Sequence, residues 1–182
     1  PGMSFGTGRH ETTRACLEYL DELADDMPGS AVLDAGCGSG ILSLAALKLG
    51  FSPVAAFDHD PQAVLVARET LAGWPEKAVR IEQADLDTFA PRHRFPLVVA
   101  NILAIVLIGH AATIAGFLDD TPNARLVLSG ILDTQYPDIA ARFAREGLQE
   151  ESQKTLGEWT TGCFRREKAK RTPPGRMHGS HE

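Results

Sequence analysis

The sequence predicts one doubly wound α/β domain, in which a mostly parallel sheet ends in a C-terminal antiparallel hairpin. Three observations support this fold class. Strand-like apolar runs alternate five times with helix-like segments along the chain. A glycine-rich loop joins the first strand to the helix after it, as in nucleotide-binding α/β proteins. The last two strand-like runs are spaced as a hairpin that turns at Gly157.

The first helix and the first strand each have a local signal. Apolar residues recur at helical spacing after residue 13, and we expect Thr12 or Thr13 to cap that helix at its N-terminus. The apolar run 31–33 predicts the first strand, and the helix after the glycine loop is expected to stop at Gly50.

The second and third strands are indicated at residues 53–57 and 79–83. Between them, Pro61 suits the first position of a helix, which makes Asp60 its N-cap. The run 96–101 is apolar throughout, as expected for a central parallel strand that is buried on both faces.

The remaining elements follow the same alternation. Residues 102–118 are apolar nearly all round and predict one helix, and residues 125–130 predict the next strand. A helix starting at residue 134 or 135 and ending at Gly147 precedes the hairpin.

The bulk composition excludes several classes of protein. A formal net charge of −6 argues against nucleic acid as a direct partner. No apolar run approaches the roughly 20 residues of a membrane-spanning helix. The three cysteines are odd in number and far apart, which disfavours a disulfide framework or a metal site and fits a reducing cytoplasm. We therefore expect a cytoplasmic protein with no metal and no membrane contact; composition leaves its oligomeric state open.

Charge is unevenly distributed along the chain. Six basic residues fall between residues 165 and 182, so the rest of the chain is strongly acidic. An acidic body suits a basic acceptor such as a lysine-rich protein. Residues 167–182 lack apolar periodicity, and we expect them to form a disordered basic tail.

The glycine loop carries the first functional signal. Gly36, Gly38 and Gly40 form G-x-G-x-G, whereas dinucleotide-binding loops read G-x-G-x-x-G. Asp34, two residues before the first glycine, would repel a pyrophosphate, but its carboxylate could hold the ammonium group of an amino-acid moiety. The loop therefore favours S-adenosylmethionine over NAD, and a glycine turn without any ligand is the open alternative.

Three further polar residues stand where strands end. Asp58, about 20 residues beyond the glycines, is placed to bind both hydroxyls of a ribose. Asp85 could meet the adenine amino group, or it could simply cap a turn. Asn101 ends the predicted central strand at the same edge of the sheet.

Residues 1–13 allow two interpretations from composition alone. Phe5 among glycines, followed by polar residues at a helix start, is typical of a loop that folds over a ligand. A frayed chain end is the alternative.

These motifs, taken in order, resemble the C-terminal catalytic domain of the PrmA family, the methyltransferases of ribosomal protein eleven of the large subunit. The resemblance extends over residues 1–166. The motifs that carry it are Phe5-Gly6-Thr7-Gly8, Asp34 through Ile41, Asp58 with Asp60-Pro61, Asn101-Ile102-Leu103-Ala104, and Leu128 through Leu132.

The resemblance implies a class I S-adenosylmethionine-dependent methyltransferase, with a seven-stranded Rossmann-like sheet of order 3-2-1-4-5-7-6. It implies S-adenosyl-L-methionine as the cofactor, bound at Thr13, Gly36, Asp58 and Asn101. It favours residues 1–13, including Phe5, as a loop that covers the cofactor. Because the resemblance concerns the catalytic domain only, we expect the family's N-terminal substrate-recognition domain to be absent from this sequence.

The implied function is N-methylation of lysine or N-terminal amines of a basic ribosomal protein. Asn101 would orient the amine, and Ile102-Leu103-Ala104 after it, instead of Pro-Pro-aromatic, favours an sp³ amine over a planar acceptor. The alternatives are a class I methyltransferase for another protein or a small molecule, and a non-catalytic cofactor-binding module.

Overall fold

A computed structural model describes residues 11–166 of the chain as seven strands and six α-helices with one 3₁₀ turn at Asp133–Gln135. The helices are α1 Glu11–Ala24, α2 Ile41–Lys48, α3 Pro61–Thr70, α4 Ala104–Gly109, α5 Ala111–Phe117 and α6 Tyr136–Ala144. The strands are β1 Val32–Ala35, β2 Val54–Asp58, β3 Val79–Gln83, β4 Leu97–Asn101, β5 Arg125–Leu132, β6 Leu148–Leu156 and β7 Trp159–Arg166.

All seven strands form one sheet in the order β3-β2-β1-β4-β5-β7-β6. Strands β1 to β5 pair in parallel, and β7 pairs antiparallel with both β5 and β6. The predicted fold class and strand order are thereby confirmed. Because β1 to β5 run the same way, their carboxyl ends meet at one edge of the sheet, where ligands bind in open α/β sheets.

Two apolar clusters cover the two faces of the sheet. Successive residues of the central strands contribute to opposite clusters: Val98 packs on one face and Val99 on the other, and Leu126 and Val127 divide in the same way. All four are fully or almost fully buried. This explains why the central strands are apolar throughout, since neither face meets water.

The hairpin and the third strand match their predicted positions, whereas three boundaries differ. The α1 helix already includes Glu11, so Thr12 and Thr13 are buried inside its first turn, and the prediction that either caps it is wrong. The predicted single helix 102–118 is two helices that meet at His110. Strand β5 continues to Leu132, past the predicted end, because its pairing with β7 resumes after an irregularity.

The predictions for Phe5 and for the tail 167–182 lie outside the described residues. Within residues 11–166, no helix has the length and apolar character needed to cross a membrane. The same part of the chain contains no group of three or more histidine, cysteine and acidic residues arranged to hold a metal ion.

Candidate functional site

The strand register brings the polar residues predicted from sequence to one edge of the sheet. Ala35 at the end of β1 lies opposite Phe57 of β2 and Ala100 of β4. The residues that follow these three positions are therefore neighbours: Gly36, Asp58 and Asn101.

The glycine loop adopts backbone conformations that side chains rarely allow. Gly36 has a φ of +75°, and a Cβ there would lie 2.5 Å from Cγ2 of Ile102. At Gly38, with a φ of +52°, a Cβ would meet nothing within 4 Å. The first glycine thus admits a close neighbour, whereas the second borders open space, as a backbone cradle for a ligand requires.

Asp58 fastens the end of β2 to this loop. Its Oδ2 accepts a hydrogen bond from the Gly38 amide at 2.9 Å, and its Oδ1 accepts one from the Asp60 amide at 3.0 Å. The residue is 8% exposed. The carboxylate is therefore held beside the glycine loop, at the edge of the sheet between Asp58 and Asn101, which we call the cleft. Binding of a ribose by Asp58 stays a prediction. Asp60 accepts from the Gln62 amide and caps α3, as predicted.

Asp34 has a partner inside the fold. It is 2% exposed, and its Oδ2 accepts hydrogen bonds from the Ser43 amide at 3.1 Å and the Ser43 hydroxyl at 2.7 Å. The N-cap residue of α2 is Gly40, which has no side chain to cap the helix. Asp34 instead accepts from the Ser43 amide in the first turn of α2. Its role toward a cofactor ammonium group stays a prediction.

The environment of Asp34 disfavours its ionised form. Burial raises the pKa of this carboxyl from 3.8 to about 6, although the hydrogen bonds from Ser43 act in the opposite direction. The negative charge of Asp58 adds to the increase. A positively charged ligand group beside these two carboxylates would relieve their repulsion.

Asp85 is exposed and folds onto its own turn. Its Oδ1 accepts hydrogen bonds from the Asp87 amide, the Thr88 amide and the Thr88 hydroxyl. These bonds hold the pKa of Asp85 below its usual value. The contacts correspond to turn capping, the alternative left open from the sequence; contact with adenine stays a prediction.

Asn101 and the loop after it form the other side of the cleft. Asn101 is half-buried, and its side chain has no hydrogen-bond partner among residues 11–166. The next amide, of Ile102, donates to the Ser129 carbonyl at 3.2 Å. Leu103 and Ile105 are 58% and 72% exposed. A polar amide group therefore stands beside an apolar rim.

The first turn of α1 lies on the sheet close to this cleft. Thr12 and Thr13 are 1% and 2% exposed. The Ser129 hydroxyl donates to the Thr12 carbonyl at 3.2 Å and also contacts the Thr161 hydroxyl at 2.5 Å. Sequence reasoning did not assign Ser129 a role, although a serine in the otherwise apolar run 126–129 is a signal for a buried polar contact.

The environment of the cysteine in the glycine loop disfavours its thiolate form. Cys37 is 7% exposed, and burial raises the pKa of its thiol far above the ordinary value. Its thiol therefore stays protonated at neutral pH.

The strand order, the glycine loop after β1 and the acidic residue at the end of β2 define the fold of class I S-adenosylmethionine-dependent methyltransferases. Residues 1–167 match the family described as "Ribosomal protein L11 methyltransferase (PrmA)". The chain belongs to this family.

Sequence relatives carry the same description. The ribosomal protein L11 methyltransferase of Xylella fastidiosa is 47% identical over 146 residues, which are 79% of this chain and 46% of the relative. That of Pelobacter propionicus is 45% identical over 172 residues, 91% of this chain and 54% of the relative. The chain thus spans about half the length of these curated relatives.

Solved structures agree on the fold. The ribosomal protein L11 methylase of Lactobacillus delbrueckii subsp. bulgaricus is similar with a TM-score of 0.78 and 30% identity, over 88% of this chain and 81% of that one. The N-methyltransferase NodS of Bradyrhizobium japonicum, in complex with S-adenosyl-L-homocysteine, has a TM-score of 0.71 at 17% identity, over 90% and 92% of the two chains. At that identity the likeness concerns the fold alone.

Proposed function

We propose that this chain is the catalytic part of an S-adenosylmethionine-dependent protein methyltransferase whose acceptors are lysine or N-terminal amines of a ribosomal protein. The observation that carries the proposal is the pairing of Asp58 with Gly38 on one side of the cleft while Asn101 stands on the other. Membership of the ribosomal protein L11 methyltransferase family supports it.

The residues present fit S-adenosyl-L-methionine. Gly38 offers backbone beside open space, and Asp58 offers a carboxylate that is held at the edge of the sheet. The neighbouring acidic charges suit a ligand that carries an ammonium and a sulfonium group. When bound, the cofactor supplies a methyl group that is already activated for transfer.

The chain then has to position an amine and exclude water. A lysine ammonium has an ordinary pKa near 10.4, so it must lose a proton before its nitrogen can attack. The apolar rim of Leu103 and Ile105 favours the neutral amine by reducing its contact with water. The Asn101 side chain, whose oxygen accepts a hydrogen bond, would orient the amine by binding its N–H.

The acceptor class follows from charge and from the family. The formal net charge of −6 favours a basic protein and disfavours nucleic acid as the direct partner. The relatives are named for ribosomal protein L11, and we extend that acceptor to this chain. A reaction on a ribosomal protein places the enzyme in the cytoplasm.

Methyl transfer from labelled cofactor tests the proposal. The chain is incubated with S-adenosylmethionine labelled in the methyl group and with purified ribosomal protein L11, and the product is digested and sequenced by mass spectrometry. We expect label on lysine or N-terminal nitrogens. Asn101→Ala serves as the matched variant and should reduce labelling strongly. Label on ribosomal RNA instead of protein would overturn the proposed acceptor.

A further inference from the structure

We infer that Ser129 is a positioning residue that joins the two walls of the cleft, the first turn of α1 and the loop that follows Asn101. The inference rests on the proposed function, in which the first wall binds the cofactor and the second wall orients the amine. Ser129 itself touches neither reactant.

The side chain of Ser129 contacts the first wall. Ser129 is completely buried, and its hydroxyl donates to the Thr12 carbonyl at 3.2 Å. A serine hydroxyl has one proton, and Ser129 uses it in the bond to Thr12. In the contact between the Ser129 and Thr161 hydroxyls at 2.5 Å, Thr161 is therefore the donor. The resulting chain runs from the Thr161 hydroxyl through Ser129 to the Thr12 carbonyl. It fixes the start of α1 against the centre of the sheet.

The backbone of Ser129 contacts the second wall. Ser129 lies opposite Asn101 in the parallel register of β4 and β5. Its carbonyl accepts from the Ile102 amide at 3.2 Å. The same residue therefore bonds to Thr12 through its hydroxyl and to Ile102 through its carbonyl, so the separation of the two walls depends on the position of one residue of β5.

The burial of these groups makes the connection sensitive to a single atom. Ser129 and Thr161 are 0% and 1% exposed, and Thr12 is 1% exposed. Without the Ser129 hydroxyl, the Thr161 hydroxyl loses its acceptor in an environment that water does not reach. The Thr12 carbonyl would lose the hydrogen bond from Ser129 that joins it to β5. The first turn of α1 would then be less ordered, and cofactor binding would have to supply that order.

Ser129→Ala tests this role, with Thr160→Val as the matched control. Thr160 is also fully buried on β7, but its hydroxyl bonds to Asp133 of the 3₁₀ turn and to Thr155 of β6, and not to α1. Both variants lose one buried hydroxyl. We expect Ser129→Ala to weaken S-adenosylhomocysteine binding about tenfold by calorimetry, equivalent to about 1.4 kcal/mol. Thr160→Val should stay within about twofold of the wild-type affinity.

Hydrogen exchange distinguishes a local loss of order in α1 from a general loss of stability, because it is measured separately for each peptide. In Ser129→Ala, amide exchange should accelerate in the peptide that contains Thr13 and Cys16, whereas the peptide covering β6 keeps the wild-type rate. Thr161→Ser retains a hydroxyl and should keep both the affinity and the exchange pattern. If Ser129→Ala does not fold, Thr161→Val gives the same comparison, because it removes the donor that directs the Ser129 proton toward Thr12.

The outcomes separate this inference from the proposed function. Equal affinity loss in Ser129→Ala and Thr160→Val, or unchanged exchange at α1, would overturn the positioning role. Faster exchange at α1 with unchanged affinity would also overturn it, since α1 would then be irrelevant to the ligand. A wild-type chain that binds no S-adenosylhomocysteine would contradict the proposed function, while the exchange measurement would still decide whether Ser129 holds α1.

Discussion

Gly130 lies directly against the backbone of Ile102: a Cβ on the glycine would be 2.3 Å from the Ile102 carbonyl oxygen. Gly36 approaches the same residue from the other side, since its Cβ would be 2.5 Å from Cγ2 of Ile102. The loop after Asn101 is therefore confined between two glycines, Gly36 directly after β1 and Gly130 within β5. Its position depends on the absence of two side chains.

We expect Gly130→Ala to destabilise the chain by about 3 kcal/mol or more and to abolish methyl transfer, because the new Cβ meets backbone atoms that cannot rotate away. Gly147→Ala is the control. Gly147 has a similar φ of +77°, but a Cβ there meets nothing within 4 Å, so only the strain of about 1–2 kcal/mol applies. Urea unfolding of both variants gives the difference. Equal losses would show that the Ile102 loop moves aside at no cost.

Asp58→Ala should weaken binding of S-adenosylhomocysteine at least tenfold, measured by calorimetry. The variant removes the carboxylate predicted to bind the ribose, and it also removes the partner of the Gly38 amide. Asp60→Ala removes a neighbouring carboxylate that caps α3, and it should cost about 1 kcal/mol of stability with little change in affinity. An affinity unchanged by Asp58→Ala would contradict the ribose assignment.

Asp34 should make the chain less stable as the pH rises from about 4 to about 6. Its pKa is raised from 3.8 to about 6 in the fold, so the folded state holds a proton that the unfolded state releases over this interval. The contribution of Asp34 is most favourable below pH 3.8, declines up to about pH 6 and is constant above, with a total change of about 3 kcal/mol.

Unfolding of the wild type and of Asp34→Asn across this pH range measures that change, because the carboxylates that do not interact with Asp34 contribute equally to both and cancel in the difference. An amide oxygen at position 34 can still accept from Ser43. Ser43→Ala should widen the pH interval, since its hydroxyl stabilises the ionised carboxylate. If the difference in the free energy of unfolding between the two proteins does not vary with pH, the pKa of Asp34 is the same in the folded and unfolded chains.

Asn101→Ala should reduce the rate of methyl transfer about a hundredfold, the scale of losing one oriented polar contact at a reacting group. Leu103→Ala removes an exposed apolar side chain from the same loop and should affect the acceptor KM more than kcat. Steady-state kinetics with ribosomal protein as acceptor separate the two. A rate that survives in Asn101→Ala would remove this residue from the catalytic machinery.

Phe5→Ala tests the opening segment. If residues 1–13 cover the cofactor, the variant should lose about tenfold in cofactor affinity through the aromatic contact. Met3→Ala, an apolar truncation in the same segment, is the control and should leave affinity within about twofold. Calorimetry gives the dissociation constant of the cofactor for each variant. If Phe5→Ala and Met3→Ala have nearly the same dissociation constant, Phe5 does not contact the ligand.

Some details escaped sequence reasoning because they depend on contacts between distant parts of the chain. Thr12 lies inside α1, and its carbonyl accepts a hydrogen bond from the hydroxyl of Ser129, which is 117 residues away in the chain. The sequence predicts that Asp34 faces an ammonium group, and in the fold its carboxylate accepts hydrogen bonds from the amide and hydroxyl of Ser43. The direction of a side chain at a strand end depends on the residues that pack around it. The sequence predicts that β5 ends at residue 130, whereas the strand continues to Leu132. Its last two residues pair with β7, which is distant in the sequence, so no local pattern marks them as a strand.

The sequence by itself determined the alternation of strands and helices, the glycine loop, the polar strand ends at Asp58 and Asn101, and the hairpin, because each is encoded by local periodicity or by a residue with restricted backbone freedom. Only the tertiary structure decided which groups face each other: Ile102 between Gly36 and Gly130, and Ser129 between Thr12 and Ile102. The physical reason is that these contacts join residues far apart in the chain, and their geometry is set by the register and packing of the whole sheet.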